Sequence, residues 1–578
     1  MIRLLAGAAG CRGRVLLVVA LLSTGCSSVP ERSSVQYGRA VPPADARNLG
    51  DADVRGLPPG PAKGAAPEAI VRGFLRAAVS SEASYAVARQ FLTAEAAADW
   101  RPEGPVTIYD GSGASISVAD GVGRLLARQS AVIGPEGSYT PVEGRISADF
   151  RLASTPDGWR LSSVPDGLLL TDNDVSHVFR SVYLYYLDPS LSVLVPDHRF
   201  IRSSQPRLAT AMISALLHGP SPWLGPSVAN AVPPGTRLLG NASRGSDGVV
   251  EVNLSDAVVT SGPEGLSALS AQIVWTLRQL TEVSGVRLLV NGQPLAVPGG
   301  SRGVQARTDW PSYDPRVLAG PVNRLWVQDG RLYSPDPGRA ARAANSGVRA
   351  PSVSPDGTIT AALRGTGEQT ALAVGPSGGA LRNVVTAAGL TPPSVDREGV
   401  VWTVSAGAST SALLAFSGGR RLSVSAPELQ GRQVAGLRLS RDGTRAAAIL
   451  GAGDEAQLFV GRVVRRPGRQ LVLEAFRGVA PQLRAVSSMS WLDDHRIAVL
   501  GRSAAGGSSG VHLPFFVEYD ASAPPLAVSV SGLPVGDLRA LAAAPGQPLL
   551  IESRGEIWWY AGGTWDVIGR GTDPTYQG

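Results

Sequence analysis

Cysteine is nearly absent from this chain of 578 residues: Cys11 and Cys26 are its two, and both fall in the first 26 positions. A disulfide framework, a cysteine-ligated metal and thiol catalysis are therefore excluded from everything that follows them. Lysine is rarer still, with Lys63 set against 52 arginines. A sequence pI near 9.5 thus reflects a preference for arginine over lysine rather than a basic patch. The formal charge is +6, and Arg3, Arg12 and Arg14 in an acid-free leader leave only about +3 for the remainder. That is too little to make nucleic acid the default partner. After Cys26 no segment reaches the roughly 18 uninterrupted apolar residues of a membrane-spanning helix. Disorder and coiled coil are excluded by the 44% hydrophobic and 17% charged content.

Turn formers are plentiful, with 69 glycines and 44 prolines. Many turns imply many short strands. At ~150 residues per domain the length suggests about four units, each able to bury a core without a metal or disulfide staple.

At the amino terminus, Arg3, Arg12 and Arg14 precede the apolar run Val15–Leu22, a positive segment followed by one too short to span a bilayer. Ser23-Thr24-Gly25-Cys26 comes next, then Ser27 and Ser28. This resembles the lipobox of bacterial lipoproteins, in which small residues precede the cysteine that becomes the mature first residue. Ser23 departs from the pattern, which usually has leucine there; Leu22 sits one place too early. The resemblance implies cleavage between Gly25 and Cys26 and lipidation of the Cys26 thiol. The competing reading is an ordinary signal peptide with an incidental cysteine. Cys11 lies upstream of the apolar run and reads as a spectator. Several acyl chains anchor stably where one is marginal.

Four further segments follow. Residues 26–64 are polar and rich in proline and glycine, ending in Gly56-Leu57-Pro58-Pro59-Gly60-Pro61, and read as a tether. Residues 65–170 open with Ile70, Val71, Phe74, Leu75 and Ala78 at helical spacing behind Pro67, with a second helix expected near Tyr85–Leu92. Alternating segments follow at Val106–Tyr109, Arg145–Leu152 and Trp159–Leu161. Helices first and strands after predict an α+β domain, similar in order and size to the cone-shaped NTF2-like fold. Trp100 and Tyr109 read as core residues of that cone.

Residues 175–300 carry an alternating strand through Val182, Leu184 and Tyr186. A helix face follows at Leu208, Ala211, Met212, Ala215 and Leu216, opened by Pro206 and closed by Gly219-Pro220. The strand Val250–Ser255, a second helix through Leu266, Leu269, Ile273, Leu277 and Leu280, and the strand Val286–Val290 complete the order. The motifs ALLHGP, VPPGT, VEVNLS, QIVWTL and LLVNG, so ordered, resemble the GerMN module of α/β type, which brings no catalytic residues with it.

Residues 310–572 repeat. Ser354-Pro355-Asp356-Gly357-Thr358 and Ser440-Arg441-Asp442-Gly443-Thr444 place their Asp-Gly pairs 86 residues apart, and Asp396–Gly399 falls midway. Met489–His495 and Leu541–Gly546 continue the series at longer spacing. Strand–turn–strand units of this period predict an all-β propeller of about six blades. Leu325-Trp326-Val327 together with Ile557–Tyr560 is expected to add or close the sixth. A β-sandwich is the rival architecture.

The search for chemistry is largely negative. His177, His198, His218, His495 and His512 show no metal-ligand spacing, and the acids near them are not expected to cluster. Asp172-Asn173-Asp174 lacks the glycine and distal glutamate of a calcium loop and reads as a solvated turn. Gly506-Gly507-Ser508-Ser509-Gly510 satisfies G-x-S-x-G but lacks the strand-to-helix flanks of a nucleophile elbow. No catalytic residue, metal site or cofactor is expected.

The order of lipobox, tether, NTF2-like domain, GerMN-like domain and propeller resembles the LpqB family of cell-envelope lipoproteins from high-GC Gram-positive bacteria. The resemblance implies lipid at Cys26 as its one transferable site. It further implies attachment to the extracytoplasmic face of the cell membrane and a non-enzymatic accessory role toward the sensor histidine kinase of an MtrA–MtrB two-component system. The alternative is a lipoprotein that holds a wall fragment or lipid in the NTF2-like cone.

Overall fold

The computed structural model describes residues 58–79, 84–203, 208–301, 303–317, 322–335, 346–406, 411–466, 470–506 and 510–578. Cys11, Gly25 and Cys26 lie outside the described residues, as does the tether up to residue 57. Among the described residues, no helix is long and apolar enough to cross a membrane.

Helix Pro67–Ala78 forms where apolar side chains recur on one face: Ile70, Val71, Phe74, Leu75 and Ala78 are all buried, and Pro67 occupies its first turn. The helix expected near Tyr85–Leu92 is a single turn, Ala86–Arg89. Another, Ala94–Asp99, follows, and the Thr93 hydroxyl caps it by accepting the Ala96 N–H at 3.2 Å. These helices cover a sheet ordered Gly158–Ser163, Tyr139–Thr155, Val122–Ile133, Val106–Tyr109, Leu168–Thr171, with Ser115–Ala119 attached to Val122–Ile133. Trp100 and Tyr109 are buried, and the Trp100 ring packs edge-on against Phe74 and Tyr85 at 5.2 and 5.6 Å.

In the second unit, strands Val249–Leu254 and Gly285–Val290 pair in parallel, joined through the helix Gly262–Leu277. Gln305–Ala306 adds to the same sheet, and Trp310 is buried in this unit's core with its Nε1 donating to Ser270 Oγ at 3.1 Å. The strand expected through Val182–Tyr186 is Phe179–Leu187, paired antiparallel with Leu194–Arg202. Its other edge is closed by side chains of the helix Gly262–Leu277 and of Gln279 just past that helix's end. Thr276 Oγ1 and Gln279 Oε1 accept the Tyr185 and Tyr183 N–H groups at 3.1 and 2.9 Å. Gln272 and Gln279 donate to the Tyr185 and Tyr183 carbonyls at 2.9 and 2.6 Å. Polar side chains on this helix and just past its end thus satisfy an edge that would otherwise lie unpaired.

From residue 324 onward the described residues form six sheets in succession, each of three to five strands and dominated by antiparallel neighbours. The first strand of this region, Arg324–Gln328, pairs with its last, Thr572–Tyr576, so the two ends of the region share one sheet. Ile557–Tyr560 is not the closing segment that the sequence suggested: it lies within Glu556–Ala561, in the sheet of Leu538–Ala542, Leu549–Ser553 and Thr564–Arg570. The aromatic run looked like an end, but it pairs in mid-sheet, where Tyr560 meets Trp565 at 5.0 Å, while Ile557 and Trp559 pack against Trp326 of the sheet that holds the first strand. Serines stitch successive sheets together. Ser352 Oγ accepts the Val395 N–H, Ser394 Oγ the Leu439 N–H and Ser490 Oγ the Ala543 N–H, at 3.3, 3.0 and 3.1 Å.

Candidate functional site

The strand Leu194–Arg202 carries Val195-Pro196-Asp197-His198-Arg199-Phe200, a sequence that reads as a polar loop. Its first seven residues are nonetheless buried. Charge can be buried only where partners meet it, and here each partner comes from a different unit. Asp197 stays within the second unit: it accepts from Arg199 Nη2 at 2.7 Å and from the Ser221 N–H and hydroxyl at 2.7 and 2.8 Å. Arg199 reaches the first unit, donating to the Glu136 carbonyl at 2.7 Å, and the Phe200 N–H donates to the Gly137 carbonyl at 2.8 Å. His198 reaches the third. Its Nδ1 lies 2.6 Å from Asp520 Oδ2, and its backbone N–H donates to the Tyr519 hydroxyl at 3.3 Å. Trp223 reinforces that side, donating from Nε1 to the Ala475 carbonyl at 2.9 Å, and Arg462 donates to the Trp223 carbonyl at 2.7 Å.

The electrostatics follow from burial. Desolvation alone would depress His198, but the Asp520 carboxylate holds its pKa above the ordinary histidine value. Burial likewise opposes the charge on Asp520, and the His198 cation, with Arg477 and Ser522, outweighs it and keeps that carboxyl well below the usual range. His198 and His495 both rest against the Tyr183 ring, with centroids 4.9 and 4.8 Å away. His495 is held at about 9: burial works against its proton, and Asp493 and Asp494 win. Glu518, close to both histidines, is pushed up to about 7 by burial.

Ser181 Oγ lies 2.5 Å from His198 Nε2, which completes a Ser181–His198–Asp520 hydrogen-bond series across the junction. The order is that of a hydrolase triad. The geometry here is that of a clip: the imidazole is packed between Tyr183 and Phe200, and Ser181 does not line the adjoining cavity where a substrate could approach.

The remaining sequence candidates scatter. His177, His218 and His512 each face a backbone carbonyl, of Asn173, Ser214 and Ala485 respectively. Asp172 and Asn173 are exposed. Gly507, Ser508 and Ser509 of the G-x-S-x-G segment lie outside the described residues. The expectation that acids do not cluster near the histidines is wrong for His495: ligand atoms of Asp493, Asp494 and His495 lie within 4.8 Å of one another. The tight turn before Arg496 folds sequence neighbours together, and their charges are already matched. Arg496 pairs with Asp493 at 2.6 Å, and the His495 proton is shared with Asp494 at 2.8 Å. A metal bound there would have to displace that proton.

Sequence reasoning missed the strand Leu194–Arg202 and, with it, the junction. The available signal was the charged triplet Asp197-His198-Arg199 flanked by Val193-Leu194-Val195 and Phe200-Ile201, which is costly to expose and costly to bury.

Beside the clip lies a cavity of about 450 Å³, walled by all three units. The architecture is that of a multidomain protein with a GerMN-like domain and a C-terminal propeller-like domain, and the comparisons agree. The profile described as "Lipoprotein LpqB, N-terminal domain" matches residues 60–176, that described as "Sporulation and spore germination" residues 183–296, and "Lipoprotein LpqB beta-propeller domain" residues 323–576. Lipoprotein LpqB of Thermobifida fusca is 31% identical, with 97% of each chain covered. The Streptomyces coelicolor relative of the same name is 28% identical over 96% of each. That of Mycobacterium tuberculosis is 28% identical over 86% of this chain and 88% of its own. The chain belongs to the LpqB lipoprotein family.

Proposed function

We propose that this protein is a lipid-anchored, non-enzymatic envelope adaptor. Its leader is cleaved between Gly25 and Cys26, Cys26 carries the acyl chains, and the polar segment to residue 64 holds the folded body off the extracytoplasmic face of the cell membrane. The first unit is read as an NTF2-like cone and the last as a six-bladed propeller closed by its own first and last strands. The body is read as an accessory to a sensor histidine kinase of the MtrA–MtrB type, acting on the kinase's extracytoplasmic part.

The observation that carries this reading is the full-length likeness to proteins named as lipoproteins rather than enzymes, with 97% of the chain matched to the Thermobifida fusca relative. The interlocked units add physical support, since a body fastened at one junction can present a fixed face to a partner. Crosslinking on intact membranes tests the partner: recovery of a histidine kinase is expected, and recovery of wall polymer alone would overturn the assignment. Cys26→Ala tests the anchor. The variant is expected to be released or to retain its leader, and continued acyl labelling would refute the site.

A further inference from the structure

We propose that the cavity at the three-unit junction is a binding site for a compact, ring-bearing organic carboxylate, with its oxyanion on Arg477 and its ring against the aromatic wall of Trp223. The inference goes beyond the adaptor role and depends on neither the anchor nor the kinase. It begins with what the cavity's charged groups lack. Four carboxylates line it, and each is already engaged. Glu136 accepts from the Ser138 hydroxyl. Glu428 accepts the Ala475 and Phe476 N–H groups at 2.7 and 2.8 Å. Asp197 is held by Arg199 and Ser221, and Asp520 by His198 and the Ser522 N–H. Arg477, by contrast, makes no hydrogen bond or ion pair among the described residues, and its Nε is buried without a partner. Its guanidinium lies 4.2 Å from the centre of the Trp223 ring. A guanidinium has five N–H donors in a fixed fork that matches a carboxylate.

The backbone is bent to put it there. Ala475 has φ 55°, a left-handed conformation that a side chain disfavours, and Ala475 and Phe476 together face the single residue Gly461 on the neighbouring strand. That is a β-bulge, and Glu428 fixes it by capturing both of its amides. Gly461 permits it: a Cβ there would meet the Phe476 ring at 2.9 Å. Burial depresses the Arg477 pKa, with Asp520, Tyr519 and Asp197 opposing the effect at a distance. A half-buried cation whose Nε has no partner carries part of the desolvation cost in the free protein, and an arriving oxyanion lowers it.

The rest of the lining sets the ligand class. The aromatic residues Tyr139, Trp223, Phe476 and Tyr519 line the cavity, and the exposed Thr140 and Glu428 mark the mouth. A volume of about 450 Å³ fits one or two sugar rings. The acidic rim favours hydroxyl or amide donors and repels polyanions. A sugar acid combines these properties.

The test uses the full-length lipoprotein in detergent, titrated calorimetrically with N-acetylmuramic acid and with N-acetylglucosamine, the same ring without the lactyl carboxylate. The acid is expected to bind more tightly by about tenfold, and Arg477→Gln to remove that difference. Equal affinity for the two sugars, no binding of either at millimolar concentration, or an unchanged preference in Arg477→Gln would overturn the proposal. Arg477→Gln should lower the melting temperature only slightly, because the guanidinium has no hydrogen-bond partner to lose and its support of the Asp520 carboxylate acts at a distance. A clear drop would make Arg477 structural and count against the site.

Discussion

Two turns of the propeller-like region share the pattern Ser-x-Asp-Gly-Thr and nearly the same hydrogen bonds. In both, the serine hydroxyl donates to the aspartate, at 2.5 Å for Ser354 and 2.7 Å for Ser440. The threonine N–H donates to that carboxylate at 3.0 and 2.8 Å, and the glycines sit at φ 73° and 72°. Their surroundings differ entirely. Asp356 is exposed, whereas Asp442 is 1% exposed. The residue after the threonine decides this: Ile359 in one turn, Arg445 in the other. Arg445 folds back to pair with Asp442, donates to the Asp494 carbonyl at 2.7 Å and stacks over Tyr519 at 4.6 Å. Tyr519 in turn receives the His198 N–H. Five residues thus specify a turn; the fold decides whether that turn is a surface hairpin or part of the junction's foundation.

Replacing each aspartate in turn separates the two turns most clearly. Asp442→Ala strands a buried Arg445 and should cost ~3–5 kcal/mol in denaturant unfolding, the loss expected when one partner of a buried ion pair is removed. A loss no larger than that of Asp356→Ala would show that the buried pair does not matter.

That contrast also explains what the sequence could and could not reveal. The Asp-Gly turns, the helix Pro67–Ala78 and the Val249–Leu254, helix, Gly285–Val290 unit were legible because each is built from contacts a few residues apart or from a regular apolar period. The strand Leu194–Arg202 was not. Its defining bonds run from His198 to Asp520 and from Arg199 to Glu136, partners 322 and 63 residues away. Arg477 was invisible for the same reason, since its meaning lies in a bulge and in Trp223 on another unit.

Protonation at the junction supplies the next test. His495 is held at about 9 against an ordinary value of 6.5, so its contribution is complete below pH 6.5 and fades as pH rises through 9. Glu518, raised to about 7, favours the folded state when protonated, and that contribution fades between about pH 4.5 and 7. Both lose stability in the alkaline direction, so unfolding free energy should fall by on the order of 3 kcal/mol between pH 6 and pH 9.5. A His495→Gln variant should flatten the alkaline part, and stability rising over that range would contradict the assignment.

A smaller effect isolates the clip itself. A double-mutant cycle on His198→Ala and Asp520→Asn should return a coupling of ~2 kcal/mol, because the two side chains meet with both buried. Additive losses would mean that the units dock through other contacts. The smallest expected change is that of Asp356→Ala, at ~1 kcal/mol, since its turn keeps access to water as a substitute partner.

Scanning calorimetry of the full chain in detergent addresses the interlock most directly. If the strand Leu194–Arg202 fastens the three units into one body, the unaltered protein should unfold in a single cooperative transition that splits in two when Asp520 is replaced by alanine. Two well-separated transitions in the unaltered protein would contradict the account.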